Sequence, residues 1–199
     1  MSQRPKLKVR RERLGASDLT SGLRHTRRAW LLGSGAVSAW ILFPELVLAA
    51  GEEKPFVGTY KHSGGDKERE ARDTAIDDVV SSMNIVSRTI AREKLKSANV
   101  IAAVVVFASD DTSLTVSLDQ RVYTAPLSGS SVKVTGITGD KLDLSYAVTS
   151  GKIEQRFSAQ GKGRTNTFTK SGDVLTMNVR VFSDQLPKEL KYKLTYKKA

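Results

Sequence analysis

The chain has 199 residues and a formal charge of +11 at pH 7, with 32 Lys and Arg against 21 Asp and Glu, two histidines and no cysteine. The absence of cysteine excludes a disulfide framework. Residues 1–50 hold nine of the basic residues and three of the acidic ones, so the rest of the chain keeps a net charge of +5. We therefore expect no nucleic-acid partner.

The N-terminal fifty residues have the composition of an export signal. Residues 1–28 are basic and poor in apolar side chains, which predicts disorder, whereas residues 29–50 are mostly apolar and carry a single charge, Glu45. Small residues at the end of the apolar run complete the pattern of a secretory signal peptide. We predict cleavage after Ala49 or Ala50.

The motif around the paired arginines indicates the export route. Residues 26–32, Thr-Arg-Arg-Ala-Trp-Leu-Leu, resemble a twin-arginine signal, and glycines dilute the apolar run after it. One alternative is an uncleaved anchor, residues 29–50, in the inner membrane, although Pro44 and Glu45 disfavour a membrane span. A buried helix is the other alternative. Both the signal and the anchor predict a protein outside the cytoplasm, in the periplasm or beyond it.

A short strand and a helical segment follow. Residues 55–61 alternate as a strand, and Ser63 or Asp66 in the next turn is predicted to cap a helix. Residues 66–96 have a helical period with weak helix formers at 81–84, which predicts two helices with a break there. The helical positions that share one apolar stripe, predicted to pack in the core, are Ile76, Val79, Val80, Met83, Val86 and Ile90.

From Asn99 to the end of the chain the hydrophobic period is two. Short alternating segments are separated by turn residues such as Gly139-Asp140 and Ser171-Gly172-Asp173. With the first strand they make nine or ten strands spaced for hairpins. We predict a mainly β fold, an antiparallel up-and-down β-barrel with the helices inserted after the first strand, formed by residues 51–199 as a single domain. A two-sheet sandwich is the alternative.

This layout resembles the fatty-acid-binding-protein branch of the calycins, which also include the lipocalins. With its export signal, the chain is also similar to exported bacterial proteins of unassigned function. The resemblance rests on Phe56-Val57-Gly58-Thr59-Tyr60 and on Gly151-Lys152-Ile153-Glu154-Gln155. It implies an aromatic plug at the closed end, a helical lid and an interior cavity for a lipid or other apolar ligand. The Arg-x-Tyr of the family's last strand is absent, since residues 193–196 read Lys-Leu-Thr-Tyr.

Strand alternation selects the side chains that point into a barrel. Phe168 is the apolar residue of its strand, so residues of the same parity point inward. An inward Arg164 calls for an anionic partner, either a ligand or an internal carboxylate. In the alternative, Arg164 lies solvated at the barrel mouth. The predicted ligand-binding residues are Arg164, Asn166, Gln155, Tyr146, Tyr192 and Tyr196. Arg88 and Arg92 are predicted on the lid, either lining a portal or extending into solvent.

Catalytic and metal-binding residues are not predicted. Outside the export segment only His62 remains, which cannot supply a His-rich metal cluster, and no cofactor motif occurs. The expected function is an extracytoplasmic binding or carrier protein, monomeric, for a small hydrophobic or amphipathic anionic ligand. The alternative is a non-catalytic structural or interaction module whose basic face binds an acidic partner or an anionic lipid surface. An enzyme is the third hypothesis.

Overall fold

A computed structural model describes residues 51–199, so the predicted signal or anchor, residues 1–50, lies outside the described part. A short 3-10 helix, Lys54–Phe56, precedes strand β1, Gly58–His62. Helices α1, Gly65–Val80, and α2, Ile85–Ala98, follow, which confirms the predicted pair of helices. Neither is long and apolar enough to cross a bilayer.

The predicted cap of α1 is wrong. Gly64 occupies the N-cap position and no side chain caps the helix. The hydroxyl of Ser63 instead donates to the backbone carbonyl of Thr195, 3.2 Å away, and Asp66 lies within the first turn. The strand-to-helix turn is therefore held by the last strand and not by a local cap.

Ten antiparallel strands form a nearly closed barrel. Strands that are consecutive in the sequence pair with each other, except β4 and β5, and β1 pairs with β10, so the only break in the backbone pairing lies between β4 and β5. This single ten-stranded sheet confirms the barrel and excludes the two-sheet sandwich. The remaining strands are β2 Val104–Ser109, β3 Ser113–Leu118, β4 Arg121–Pro126, β5 Val132–Thr135, β6 Lys141–Thr149, β7 Lys152–Ala159, β8 Lys162–Ser171, β9 Val174–Ser183 and β10 Leu190–Lys198.

Aromatic side chains fill the part of the barrel that lies away from the cavity described below. The rings of Phe107 and Phe168 meet edge to face with centroids 5.0 Å apart, a favourable geometry for aromatic pairs. Phe56 and Tyr60 each lie 5.9 Å from Phe107, and all four side chains are buried. Phe56 thus packs in the core beside the first strand.

The predicted helical stripe is correct for α1 and wrong for α2. Ile76, Val79 and Val80 are buried, but Val86 and Ile90 are 67% and 53% exposed. The chain leaves the helical conformation between Val80 and Ile85, so the period of 3.6 residues does not continue from one helix into the next. The second helix buries Leu95 instead.

Candidate functional site

A cavity of about 780 Å³ lies between α2 and one end of the barrel. Its walls come from α2, from strands β3, β4 and β6 to β9, and from the loops near them. Most of its lining side chains are apolar, as is usual for small-molecule sites. The apolar lining includes Met83, Ile90, Leu95, Leu118, Tyr123, Ile137, Leu142, Phe157, Val181 and Leu186.

Three inward polar side chains form a row across the barrel beneath this cavity. Tyr146, Gln155 and Asn166 are directly opposite one another on β6, β7 and β8. Asn166 Nδ2 donates to Gln155 Oε1 at 2.8 Å, and Gln155 Nε2 donates to the Tyr146 hydroxyl at 3.0 Å. All three side chains are buried, so these bonds satisfy polar groups that would otherwise be costly to bury.

Arg164 connects this row to the lid. It lies on β8 two residues before Asn166, points into the cavity and is half-buried. Its Nε donates to Asn166 Oδ1 at 2.7 Å, while Nη1 donates to the backbone carbonyl of Ala98 at 3.3 Å and to Asn99 Oδ1 at 3.2 Å. The guanidinium thus lies at the C-terminal end of α2, where the helix dipole favours a cation.

Asn99 joins both helices to the barrel. It follows the last residue of α2 and is only 1% exposed. Its Oδ1 accepts from Arg164 on β8 and from the Tyr192 hydroxyl on β10, at 3.2 Å each, and its Nδ2 donates to Leu95 O at 2.8 Å. Its backbone carbonyl accepts from Arg72 of α1 at 3.3 Å. The buried residue Asn99 therefore anchors the helices of the lid to the barrel.

The cations around the cavity differ in their partners. Lys162 Nζ lies 2.9 Å from Asp140 Oδ2, and the hydrogen bond from Lys162, together with one from Thr138, lowers the pKa of that carboxyl. For Arg164, no carboxylate among residues 51–199 lies within ion-pair distance. The Nη2 of Arg164 likewise donates no hydrogen bond within this part of the chain. The cavity thus contains one uncompensated guanidinium.

The buried side chains of Tyr146 and Tyr196 are neutral at physiological pH. Burial is the main reason that the pKa values of Tyr146 and Tyr196 lie well above the ordinary value of 10.0. The Tyr146 hydroxyl donates to the backbone carbonyl of Tyr123 at 2.8 Å. The Tyr196 hydroxyl has no hydrogen-bond partner within residues 51–199, and its ring meets that of His62 at 5.4 Å.

The six predicted ligand-binding side chains point into the barrel, but only two of them line the cavity. Arg164 and Asn166 line the cavity. The hydrogen-bond network that includes Arg164 and Asn166 brings in Gln155, Tyr146 and Tyr192, none of which lines the cavity. Tyr196 lies apart from the network, beside His62.

The two lid arginines hold the helices together. Arg88 donates to the carbonyls of Ser81 and Met83, in the connection between α1 and α2, at 2.6 and 2.9 Å. Arg92 forms an ion pair of 2.5 Å with Asp77 of α1. Both lie on the lid as predicted, and neither belongs to the cavity lining.

Asn99 was not among the predicted site residues. An asparagine directly after a helix is a recognisable C-terminal signal, but its contacts with β8 and β10 depend on tertiary structure. Within residues 51–199 no cluster of three or more metal-ligating side chains occurs.

No family model matches the chain, and no curated protein matches it in sequence. Several solved structures match it in fold and include fatty-acid-binding proteins, the family that the sequence resembles. Fatty-acid-binding protein 1 of Echinococcus granulosus is 16% identical over 73% of this chain and 98% of its own, with a TM-score of 0.47. The Schistosoma mansoni fatty acid binding protein, solved with arachidonic acid, is 15% identical over 75% and 99%, with a TM-score of 0.46.

The zebrafish ileal bile acid-binding protein, solved with cholic acid, is 14% identical over 72% of this chain and 98% of its own, with a TM-score of 0.43. At these identities the likeness concerns the course of the backbone and not the ligand.

Proposed function

We propose that the chain is an extracytoplasmic binding protein for a small amphipathic anion. The observation that carries the proposal is the uncompensated guanidinium of Arg164 in the wall of an otherwise mostly apolar cavity. An apolar wall favours the hydrocarbon part of a ligand, and a half-buried cation favours an acidic group. A carboxylate on Nη2 would leave the Arg164 bonds to Asn99 and Asn166 in place.

A titration of the full chain with decanoate tests this function. We expect the Arg164→Met variant to bind decanoate about 10- to 100-fold more weakly, because a hydrogen bond to a charged group contributes about 1.5–3 kcal/mol. The matched control is Arg156→Met, an arginine of the neighbouring strand that lies opposite Thr165 and pairs with Glu154 on the outer face.

The control should bind decanoate like the unmodified chain, and the uncharged decanol should bind both variants alike. Calorimetry measures each combination of protein and ligand. Equal affinity of Arg164→Met and the unmodified chain for decanoate would refute the role of the guanidinium.

The extracytoplasmic location rests on the sequence of residues 26–50, with the anchored form as its alternative. Fractionation and an immunoblot test it. A cleaved signal gives a soluble product shortened by about fifty residues, the length that the signal pattern predicts, whereas an anchor gives a full-length product in the membrane fraction. Full-length protein in the cytoplasm would overturn both.

The second candidate function is an interaction module with a basic face. Lys61 and Lys197 are directly opposite each other on β1 and β10, and Lys193 lies on the same outer face. None of the three has an acidic partner within ion-pair distance among residues 51–199. Such a cluster suits an anionic lipid surface. Sedimentation with phosphatidylserine vesicles that is no greater than with phosphatidylcholine vesicles would exclude this candidate.

A further inference from the structure

The charged side chains that line the cavity do not cancel. They are Lys94 of α2, Asp140 in the loop before β6, and Lys162 and Arg164 of β8. Lys162 and Asp140 neutralise each other, since Lys162 Nζ lies 2.9 Å from Asp140 Oδ2. Within residues 51–199 no carboxylate lies within ion-pair distance of Lys94 or Arg164. The lining therefore carries a second uncompensated positive charge besides that of Arg164.

The second charge, Lys94, faces the cavity because of its place on α2. The residues of this helix that line the cavity recur at spacings of three and four, so they share one side of the helix: Ser87, Ile90, Ala91, Lys94, Leu95 and Ala98. None of the residues three or four positions before or after Lys94 is acidic, so α2 itself offers no ion-pair partner. Lys94 is also exposed to solvent, which places it at the mouth of the cavity.

The two unmatched cations lie near the same end of α2. Arg164 Nη1 donates to the backbone carbonyl of Ala98 at 3.3 Å. Ala98 follows Lys94 by four residues, which is about 6 Å along the helix axis. The ammonium group of a lysine stands on a flexible four-carbon stem and is a compact point charge. An acidic group that accepts from Arg164 Nη2 is therefore within the range of Lys94 as well.

We infer that the acidic end of the ligand is a dianion of the phosphate monoester type, held by Arg164 on one side and by Lys94 on the other. This inference rests on the proposed function. A carboxylate has one charge and leaves Lys94 unmatched. A phosphate monoester has three acceptor oxygens and is dianionic at pH 8, because its second pKa is about 6. The hydrocarbon part lies against the apolar lining in either case.

The test compares two ligands of similar shape in calorimetric titrations of the full chain at pH 8. Decyl phosphate carries two negative charges, and its methyl ester, decyl methyl phosphate, carries one. We expect decyl phosphate to bind about fivefold more tightly, which is the upper end of what an exposed ion pair contributes. An affinity for decyl phosphate that is equal to or below that for the methyl ester would overturn the inference.

A matched pair of variants assigns the preference to Lys94. Lys94→Met should abolish the roughly fivefold preference for the dianion. Lys96→Met should retain it, because Lys96 lies on the same helix but outside the cavity lining, 3.8 Å from Asp73 of α1. Each variant removes one positive charge. A preference that falls equally in both variants would reflect only the overall charge of the chain and would contradict the role of Lys94.

Two further measurements separate this inference from the proposed function. Inorganic phosphate should bind more than about 100-fold more weakly than decyl phosphate, because each buried methylene contributes about fourfold. Comparable binding of inorganic phosphate would identify the free ion as the ligand and overturn the inference. Decanoate binding that depends on Arg164, without a preference for the dianion, refutes the dianionic head group alone. Failure of both decanoate and decyl phosphate to bind refutes the proposed function itself.

Discussion

The hydroxyl of Tyr146 donates to the backbone carbonyl of Tyr123 at 2.8 Å and so joins β6 to β4 beside the discontinuity in the barrel. Backbone pairing is missing between β4 and β5, and the short strand β5 pairs with only one end of β6. A side chain therefore supplies a bond where the sheet does not. Because the same hydroxyl accepts from Gln155, the hydrogen bond that helps to close the barrel is linked directly to the polar row beneath the cavity.

Replacing Tyr146 with Phe should lower the free energy of unfolding by about 1–3 kcal/mol, since a buried carbonyl and a buried amide each lose a partner. Urea denaturation measures the change. Tyr123→Phe is the control, because Tyr123 enters this contact through its backbone and not its hydroxyl. Equal stability of Tyr146→Phe and the unmodified chain would show that the hydroxyl does not help to close the barrel.

Replacing Asn99 with Ala should release the C-terminal end of α2, because the substitution deletes three hydrogen bonds of a buried amide. We expect faster hydrogen exchange in the last turn of α2 and a loss of about 2–3 kcal/mol of stability. Asn84→Ala, which removes the exposed N-cap bond to Ser87 at the other end of the helix, should cost only about 1 kcal/mol. Exchange in the last turn that is no faster in Asn99→Ala than in Asn84→Ala would contradict the role assigned to Asn99.

Glu68 should contribute to the acid sensitivity of the fold. Burial alone would raise the pKa of Glu68, but hydrogen bonds from Thr195 and His62 outweigh it and lower the pKa below the ordinary 4.5. A carboxyl with a lowered pKa stabilises the fold above its unfolded-state pKa, and this stabilisation disappears as the pH falls through the folded-state value.

Between pH 6 and pH 3 the melting temperature of Glu68→Gln should therefore fall less than that of the unmodified chain. Glu93→Gln, which alters an exposed carboxylate of α2, serves as the control and should follow the unmodified chain. Parallel curves for Glu68→Gln and the unmodified chain would show that Glu68 is not linked to stability in this range.

Replacing Lys197 with Glu should stabilise the barrel by about 0.2–1 kcal/mol, because a like-charge cross-strand pair with Lys61 becomes an opposite-charge pair. Added salt should raise the melting temperature of the unmodified chain and lower that of the variant. Lys193→Glu, opposite the uncharged Asn178, is the comparison and should show the smaller effect. A variant less stable than the unmodified chain would mean that the two lysines do not repel each other.

The fold could be predicted because it depends on local patterns. Alternation from Leu142 to Val148 fixes which side chains of β6 point inward, and the same parity rule places Asn166 and Phe168 inside. Weak helix formers at Ser81 and Ser82 correctly marked the break between the helices. Each of these inferences needs only neighbours within a few residues.

The site could be predicted only in part, because parity selects a face of a strand and not a depth along it. Arg164 and Tyr196 both point inward, yet Arg164 lies at the lid and Tyr196 beside His62. The helical stripe failed at Val86 because a loop resets the helical phase by an amount that the sequence does not specify. The role of Asn99 depends on β8 and β10, far away in the sequence.

The pairing of β1 with β10 also determines when the barrel can be completed. Tyr60 lies opposite Lys198, so the last contacts of the sheet join residues from opposite ends of the described chain. During synthesis the first strand must wait, with one edge unpaired, until the residues of β10 have left the ribosome. Contacts of such high sequence separation slow folding, so closure of the barrel is a late step in its folding.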